Sequence, residues 1–129
     1  MSTVRRPDDA DSFRAAVRPL EGVTVVDLSR HLPGPFASRE LLELGARVIR
    51  LLPPTGDPMA ELAPAWHEAM NAGKETVLLD LKAEPEHGRA LCAQADVVVE
   101  SLRPGAVERL VVGPDDLSES VCYGSLTGF

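Results

Sequence analysis

The residues of this 129-residue chain with the clearest chemical potential are cations spaced along its second half. Lys74 precedes one β-type run and Lys82 follows it, Arg103 follows the next run, and Arg109 lies one helical turn further on. Lys and Arg gathered at one edge of a sheet make an anion site, and the planar fork of Arg suits phosphate oxygens in particular. Each cation taken singly reads as a solvated surface charge. As a set they balance that reading evenly against a local anion site on an acidic protein.

A second stretch, Asp27 to Ser38 (DLSRHLPGPFAS), has two readings. The N–H groups of Phe36 and Ala37 at a helix start would receive a phosphate or carboxylate with help from the helix dipole. Alternatively Gly34-Pro35 is simply an efficient turn. The turn is favoured, because the stretch is not Gly-x-Gly-x-x-Gly and lacks a Walker lysine. Asp27, Ser29 and His31 have the residue types of a hydrolase triad. They are crowded along one strand end, however, whereas a triad draws its members from separate loops. Asp57, Asp80 and Glu100 also fall in loops, and none is assigned a catalytic role.

Cys92 and Cys122 lie far apart without metal-ligand spacing, so neither a disulfide framework nor a zinc site is expected, and both read as buried, inert thiols. No metal is expected. His67 and His87 read as exposed helix residues, and Trp66 with Met70 and Leu62 as a helix face turned to the core.

The elements that must position these residues alternate. Residues 1–19 read as a mobile leader, with one turn of helix expected around Phe13 to Val17. Apolar runs at 23–28, 47–51, 76–79, 97–99 and 121–125 read as strands. Helical stretches are expected at Phe36 to Leu44, with Ala37, Leu41 and Leu44 on the buried face, from the loop 53–58 to about Ala69 with a break at Pro64, and at 84–94. Shorter ones end near Leu110 and begin at Pro114. Alternating strands and helices imply an α/β fold, a Rossmann-like parallel sheet with helices on both faces. Ligands settle at the carboxyl ends of such strands, so function belongs to the loops after Leu28, Leu51, Leu79 and Val99.

With 44% hydrophobic and 26% charged residues the composition is that of a globular domain, and a net charge of -7 argues against nucleic acid as a partner. No apolar stretch reaches the roughly 20 residues of a membrane span, and the first residues lack a signal-peptide core, so no membrane partner and a cytoplasmic location are expected.

Several strings together carry a resemblance. LEGVTVVDLSRHLPGPFASRELLELGARVIRL from Leu20, then PPTGDP, NAGKETVLLDLK, ADVVVESLRPGAVERL and SLTGF, resemble in order and spacing the N-terminal segment of family III CoA-transferases. That group includes formyl-CoA transferase, carnitine CoA-transferase and α-methylacyl-CoA racemase. The resemblance implies that residues 20–129 are the CoA-binding N-terminal part of such an enzyme's large domain. By the same resemblance Leu32, Pro33 and Gly34 lie against coenzyme A, and Leu79, Asp80, Leu81 and Lys82 contact its adenosine end. Ser101, Leu102 and Arg103 follow the nucleotide, and Arg109 approaches the phosphates.

The chain departs from the family pattern in places. Leu52-Pro53-Pro54 stands where many relatives have Glu-Pro-Pro or Glu-Arg, the arginine that often follows the Gly-Asp pair is replaced near Ala60, and Asn-x-x-Lys-x-Ser becomes Asn71 to Thr76. These departures imply weaker nucleotide affinity. The family's catalytic aspartate, like the racemases' His and Asp pair, follows the Gly-Phe matched here by Gly128-Phe129, so the resemblance implies an incomplete fold and no catalytic residue in this chain. The expected ligand is acyl-CoA or CoA, and the expected partner is a second copy in an interlocked homodimer or a complementing C-terminal chain. The alternatives are a racemase-like fragment and a non-enzymatic CoA-binding or regulatory subunit.

Overall fold

The structure, a computed structural model, describes residues 17–128. The expected leader, with its turn of helix, falls outside the described residues except for Val17 to Pro19. From there the order is β1 (Thr24–Leu28), α1 (Pro33–Glu43), β2 (Arg47–Leu52), α2 (Met59–Leu62), α3 (Pro64–Asn71) and β3 (Glu75–Leu78). Then follow α4 (Pro85–Ala93), β4 (Val97–Glu100), α5 (Ala106–Arg109), a 3-10 turn at Pro114–Asp116, and β5 (Cys122–Ser125).

Among the described residues the strands form one five-stranded sheet in the order β3-β2-β1-β4-β5, every neighbouring pair parallel. The central strands are apolar on both faces because both are covered. Val25, Val48 and Val99 pack with Ala46 on the α1 side, with Leu41 and Leu42 against them. Val26, Leu28, Leu51 and Val98 pack with Cys92, Val107 and Val112 on the opposite side, where α4 and α5 lie. This is the expected α/β architecture. β1 and β4 are adjacent, and the chain leaves them in opposite directions, toward β2 and toward β5. A crevice therefore opens beyond their carboxyl ends.

The local departures from expectation have physical reasons. Helix α1 begins at Pro33 rather than Phe36, since proline suits a first turn that needs no N–H partner. Phe36 N–H already donates to Leu32 C=O at 3.1 Å, so it is not free to receive an anion. The buried stripe of α1 is Gly34, Pro35 and Ser38, while Leu44 is exposed at the C-cap. Gly45, at φ 106°, closes that helix as expected.

The segment around Pro64 divides into two helices because Ala63 takes φ -145° and ψ 69°. Neither helix has a buried residue, and Leu62 is 77% exposed, so the expected core face of Leu62, Trp66 and Met70 does not form. Cys92 is buried, its thiol pushed up to about 11 by desolvation, but Cys122 is exposed on the edge strand β5.

Candidate functional site

The loop after β1 is built around a buried carboxylate. Asp27 Oδ1 accepts the Ser29 N–H at 2.7 Å and the Ser29 hydroxyl, and Oδ2 accepts the Ser38 hydroxyl from α1. These bonds occupy both oxygens of Asp27 and fix how the chain leaves the strand. A Cβ added at Gly34 would lie 2.1 Å from Ser29 Cβ and Oγ, so glycine is required where α1 crosses this turn. His31 is exposed at φ 68° and takes no part in these bonds, so the triad types do not form a triad.

This turn delivers Arg30 to the crevice. Its N–H donates to Ser101 Oγ at 2.8 Å, joining the loop after β1 to the loop after β4. A cleft of about 160 Å³ opens there, with apolar walls of Leu28, Leu51, Leu52, Leu79, Leu102 and Leu110 and with Arg30, Asp80 and Lys82 as its ionisable side chains. Gly88 of α4 makes room for Leu81, which a Cβ there would meet at 2.2 Å. The Asp80 carboxylate is held by its own turn, accepting N–H from Lys82 at 3.0 Å and from Ala83 at 3.3 Å. Arg30 Nε is buried with no hydrogen-bond partner. A donor in that condition costs free energy until an acceptor reaches it.

A groove of about 450 Å³ continues from the cleft past Leu81 and Lys82 to Arg109 and Val111. Val111 adopts φ 60°, a left-handed conformation that β-branched residues rarely take.

Leu79, Asp80, Leu81, Lys82 and Leu102 thus share the cleft or its continuation, and Arg109 lines the continuation. Ser101 acts from beneath, through its bond to Arg30. Leu32 and Pro33 are exposed at the start of α1, Gly34 is buried against Ser29, and Arg103 is exposed; none of these lines the cleft. Lys74 does not join the cation set. Its Nζ donates to Pro35 C=O at 2.9 Å and to Asn71 Oδ1 at 3.2 Å on the α1 side, and desolvation lowers its pKa to about 8.

Leu52 and Pro53, where the chain departs from the family pattern, also line the cleft, and Arg30 lines it without having been singled out by sequence reasoning. Arg30's position directly after Ser29 in a strand-end loop was the available signal.

Reasoning from sequence also overlooks a buried ion pair. Arg50 points from β2 to the α1 side, where Nη2 meets Asp57 Oδ2 at 2.6 Å with the side chains 4% and 9% exposed. His67 Nε2 lies 3.6 Å from the same carboxylate, so it is half-buried rather than exposed. His87 is exposed, as expected. The Glu100 carboxylate is buried and accepts Leu102 N–H at 2.8 Å and the Ser125 hydroxyl.

Among the described residues no helix is long and apolar enough to cross a membrane, and no group of three or more His, Cys, Asp or Glu is placed to hold a metal.

The profile of CoA-transferase family III matches residues 20–129. Acetyl-CoA:oxalate CoA-transferase of Acetobacter aceti is 35% identical over 123 residues, covering 86% of this chain and 32% of that protein. Human alpha-methylacyl-CoA racemase is 35% identical over 116 residues, covering 85% of this chain and 28% of that protein. The crystal structure of Rv3272 from Mycobacterium tuberculosis superposes with a TM-score of 0.83 at 36% identity, over 88% of this chain and 34% of that one. The chain spans about a third of the length of the relatives it matches.

Proposed function

Since the chain belongs to CoA-transferase family III, we propose that it holds coenzyme A at the carboxyl ends of its strands and contributes the CoA-binding part of an enzyme that moves CoA between carboxylic acids. The observation that carries this reading is the meeting, in one cleft, of leucine walls with the side chains of Arg30 and Lys82. The donor set fits the ligand, since leucine faces suit an adenine ring and Arg and Lys suit its phosphates. The cleft is smaller than the roughly 300 Å³ or more of a pocket that swallows a whole drug-sized ligand. It takes the adenosine end, and the groove past Lys82 and Arg109 takes the diphosphate.

The carboxylates near the site support a binding role without a nucleophile. Asp27 is closed by two serines, Asp57 is paired with Arg50, Asp80 is held in its own turn, and Glu100 is tied to Leu102 and Ser125. The attacking carboxylate of a transferase comes, on this reading, from outside the described residues. The identity shared with the human racemase equals that shared with the oxalate transferase, which keeps a racemase-type enzyme as the second reading. Leu62 and Leu78, 77% and 57% exposed, support burial against a second copy or a complementing chain. A monodisperse, cooperatively folding monomer by light scattering would contradict that association.

Calorimetric titration with CoA and with NAD tests the main reading. Saturable CoA binding is expected, and tight NAD binding without CoA binding would overturn it.

A further inference from the structure

We propose that Val111 is a ligand-binding residue held in a strained backbone, its isopropyl group kept at the wall of the groove beside Lys82 and Arg109 where a glycine would fold more easily. This role rests on the CoA reading above and goes further, because it gives a contact to a residue which that reading does not use.

Among the described residues, five left-handed positions are filled by glycine and two are not, His31 at φ 68° and Val111 at φ 60°. Histidine visits that region several-fold more often than most side chains, but a β-branched residue there is a genuine outlier. At Val111 the conformation follows from how α5 ends. Val112 N–H donates to Val107 C=O at 2.9 Å, and Val111 N–H donates to Glu108 C=O at 3.2 Å. These are the two bonds of a Schellman closure, whose left-handed residue is usually glycine.

The chain that follows is fixed as well. Val112 is fully buried in the same core cluster as Val107, its C=O accepts the Tyr123 hydroxyl at 3.0 Å, and Gly113 N–H donates to Asp116 Oδ2 at 3.0 Å. The strain is therefore imposed from both sides, and a glycine would remove it without breaking any of these bonds.

Core packing does not offset the strain. Leu110 and Val112, on either side, pack into the core, whereas Val111 is half-buried and packs into neither core cluster. It lines instead the groove of about 450 Å³ that also holds Leu81, Lys82 and Arg109. Strain that the surrounding fold maintains in this way clusters at ligand sites. An apolar wall beside two cations suits a ligand in which phosphates are followed by an aliphatic chain, and CoA presents the two in succession.

The test is urea denaturation and calorimetric titration with CoA of the wild-type chain, Val111→Gly and Val111→Ala. Val111→Gly should raise the urea midpoint, because the strain is gone, and yet bind CoA roughly three- to tenfold more weakly, the worth of half-burying one valine side chain. Val111→Ala keeps a Cβ in the left-handed region and loses most of the wall, so it should weaken CoA to a similar degree while falling short of the glycine midpoint. Wild-type CoA affinity in Val111→Gly would overturn this role and leave the CoA reading intact. A lowered midpoint in Val111→Gly would overturn the strain, and CoA affinity lost there but kept in Val111→Ala would overturn the side-chain contact. No CoA binding by the wild-type chain would overturn the CoA reading and this role with it.

Discussion

Arg30 and Ser101 face each other across the point where the two halves of the sheet part. The Arg30 N–H donates to Ser101 Oγ at 2.8 Å, and the hydroxyl lies 3.4 Å from the Arg30 carbonyl, to which it donates in return. One side chain thus spans two loops separated by 71 positions in sequence. The guanidinium is delivered to the cleft by a backbone that Ser101 holds from one side and Asp27, through Ser29, from the other.

Replacing that hydroxyl should loosen the site more than the fold. Ser101→Ala is expected to cost about 1 kcal/mol of stability, the usual worth of a hydrogen bond, and to weaken CoA. Ser101→Thr should retain both. Denaturant titration and calorimetry on the three proteins check this, and unchanged CoA affinity in Ser101→Ala would remove Ser101 from the site's support.

Gly34 leaves no space for a methyl group, since an added Cβ would lie 2.1 Å from Ser29. Gly34→Ala should therefore destabilise by roughly 1–3 kcal/mol, the range for overpacking a close contact. The measurement is the urea midpoint. Combining it with Ser29→Gly should give a loss smaller than the sum of the two single losses, because the clash disappears with the serine side chain.

Asp57 makes stability pH-dependent on the acid side. Burial raises its carboxyl, but the Met59 N–H and the Arg50 guanidinium lower it by more, so the folded value lies below the unfolded one. Such a group stabilises fully above about pH 4 and loses that contribution as the pH falls through the folded value. The wild-type urea midpoint should drop on acidification through this window, and Asp57→Asn should show a shallower drop from a lower starting point. Parallel curves would contradict the assignment.

Lys74 should act at the other end of the scale. Desolvation lowers its folded value to about 8 from 10.5, so the unfolded chain binds more protons between these values and stability rises with pH there. Cys92 opposes this above about 9, its folded value being raised to about 11. Read as the difference between wild type and Lys74→Gln, in which the Cys92 contribution cancels, the rise runs from about pH 8 to 10.5. A pH-independent difference would show that Lys74 does not titrate as a buried cation.

The sheet was legible from sequence because its central strands are apolar on both faces, as Val25-Val26 and Val97-Val98-Val99 show, and a parallel sheet is what buries such runs. The site was legible in part. Leu79 to Lys82 and Leu102 stand where the rule about strand ends puts them, and Arg109 lines the continuation.

What escaped sequence reasoning depends on facing. Arg50 sits in an apolar run that gives no sign of Asp57 waiting opposite, and Arg30 was not among the cations singled out, because nothing in its local sequence shows that its loop meets the loop after β4. Lys74 and Lys82 flank the same strand, yet one is captured by Pro35 and Asn71 beneath α1 while the other reaches the cleft. Cys122 was expected to be buried because free cysteines usually are, but its strand lies at the sheet edge.

The central claim is that CoA occupies the cleft on the α4 and α5 side of the strand ends. Amide hydrogen exchange of the 129-residue chain with and without CoA tests it most directly. The account predicts slowed exchange at Arg30, Leu81, Lys82 and Leu102, with Arg50 and the amides of α3 on the opposite face unchanged. Protection confined to the α1 side, or none at saturating CoA, would contradict it.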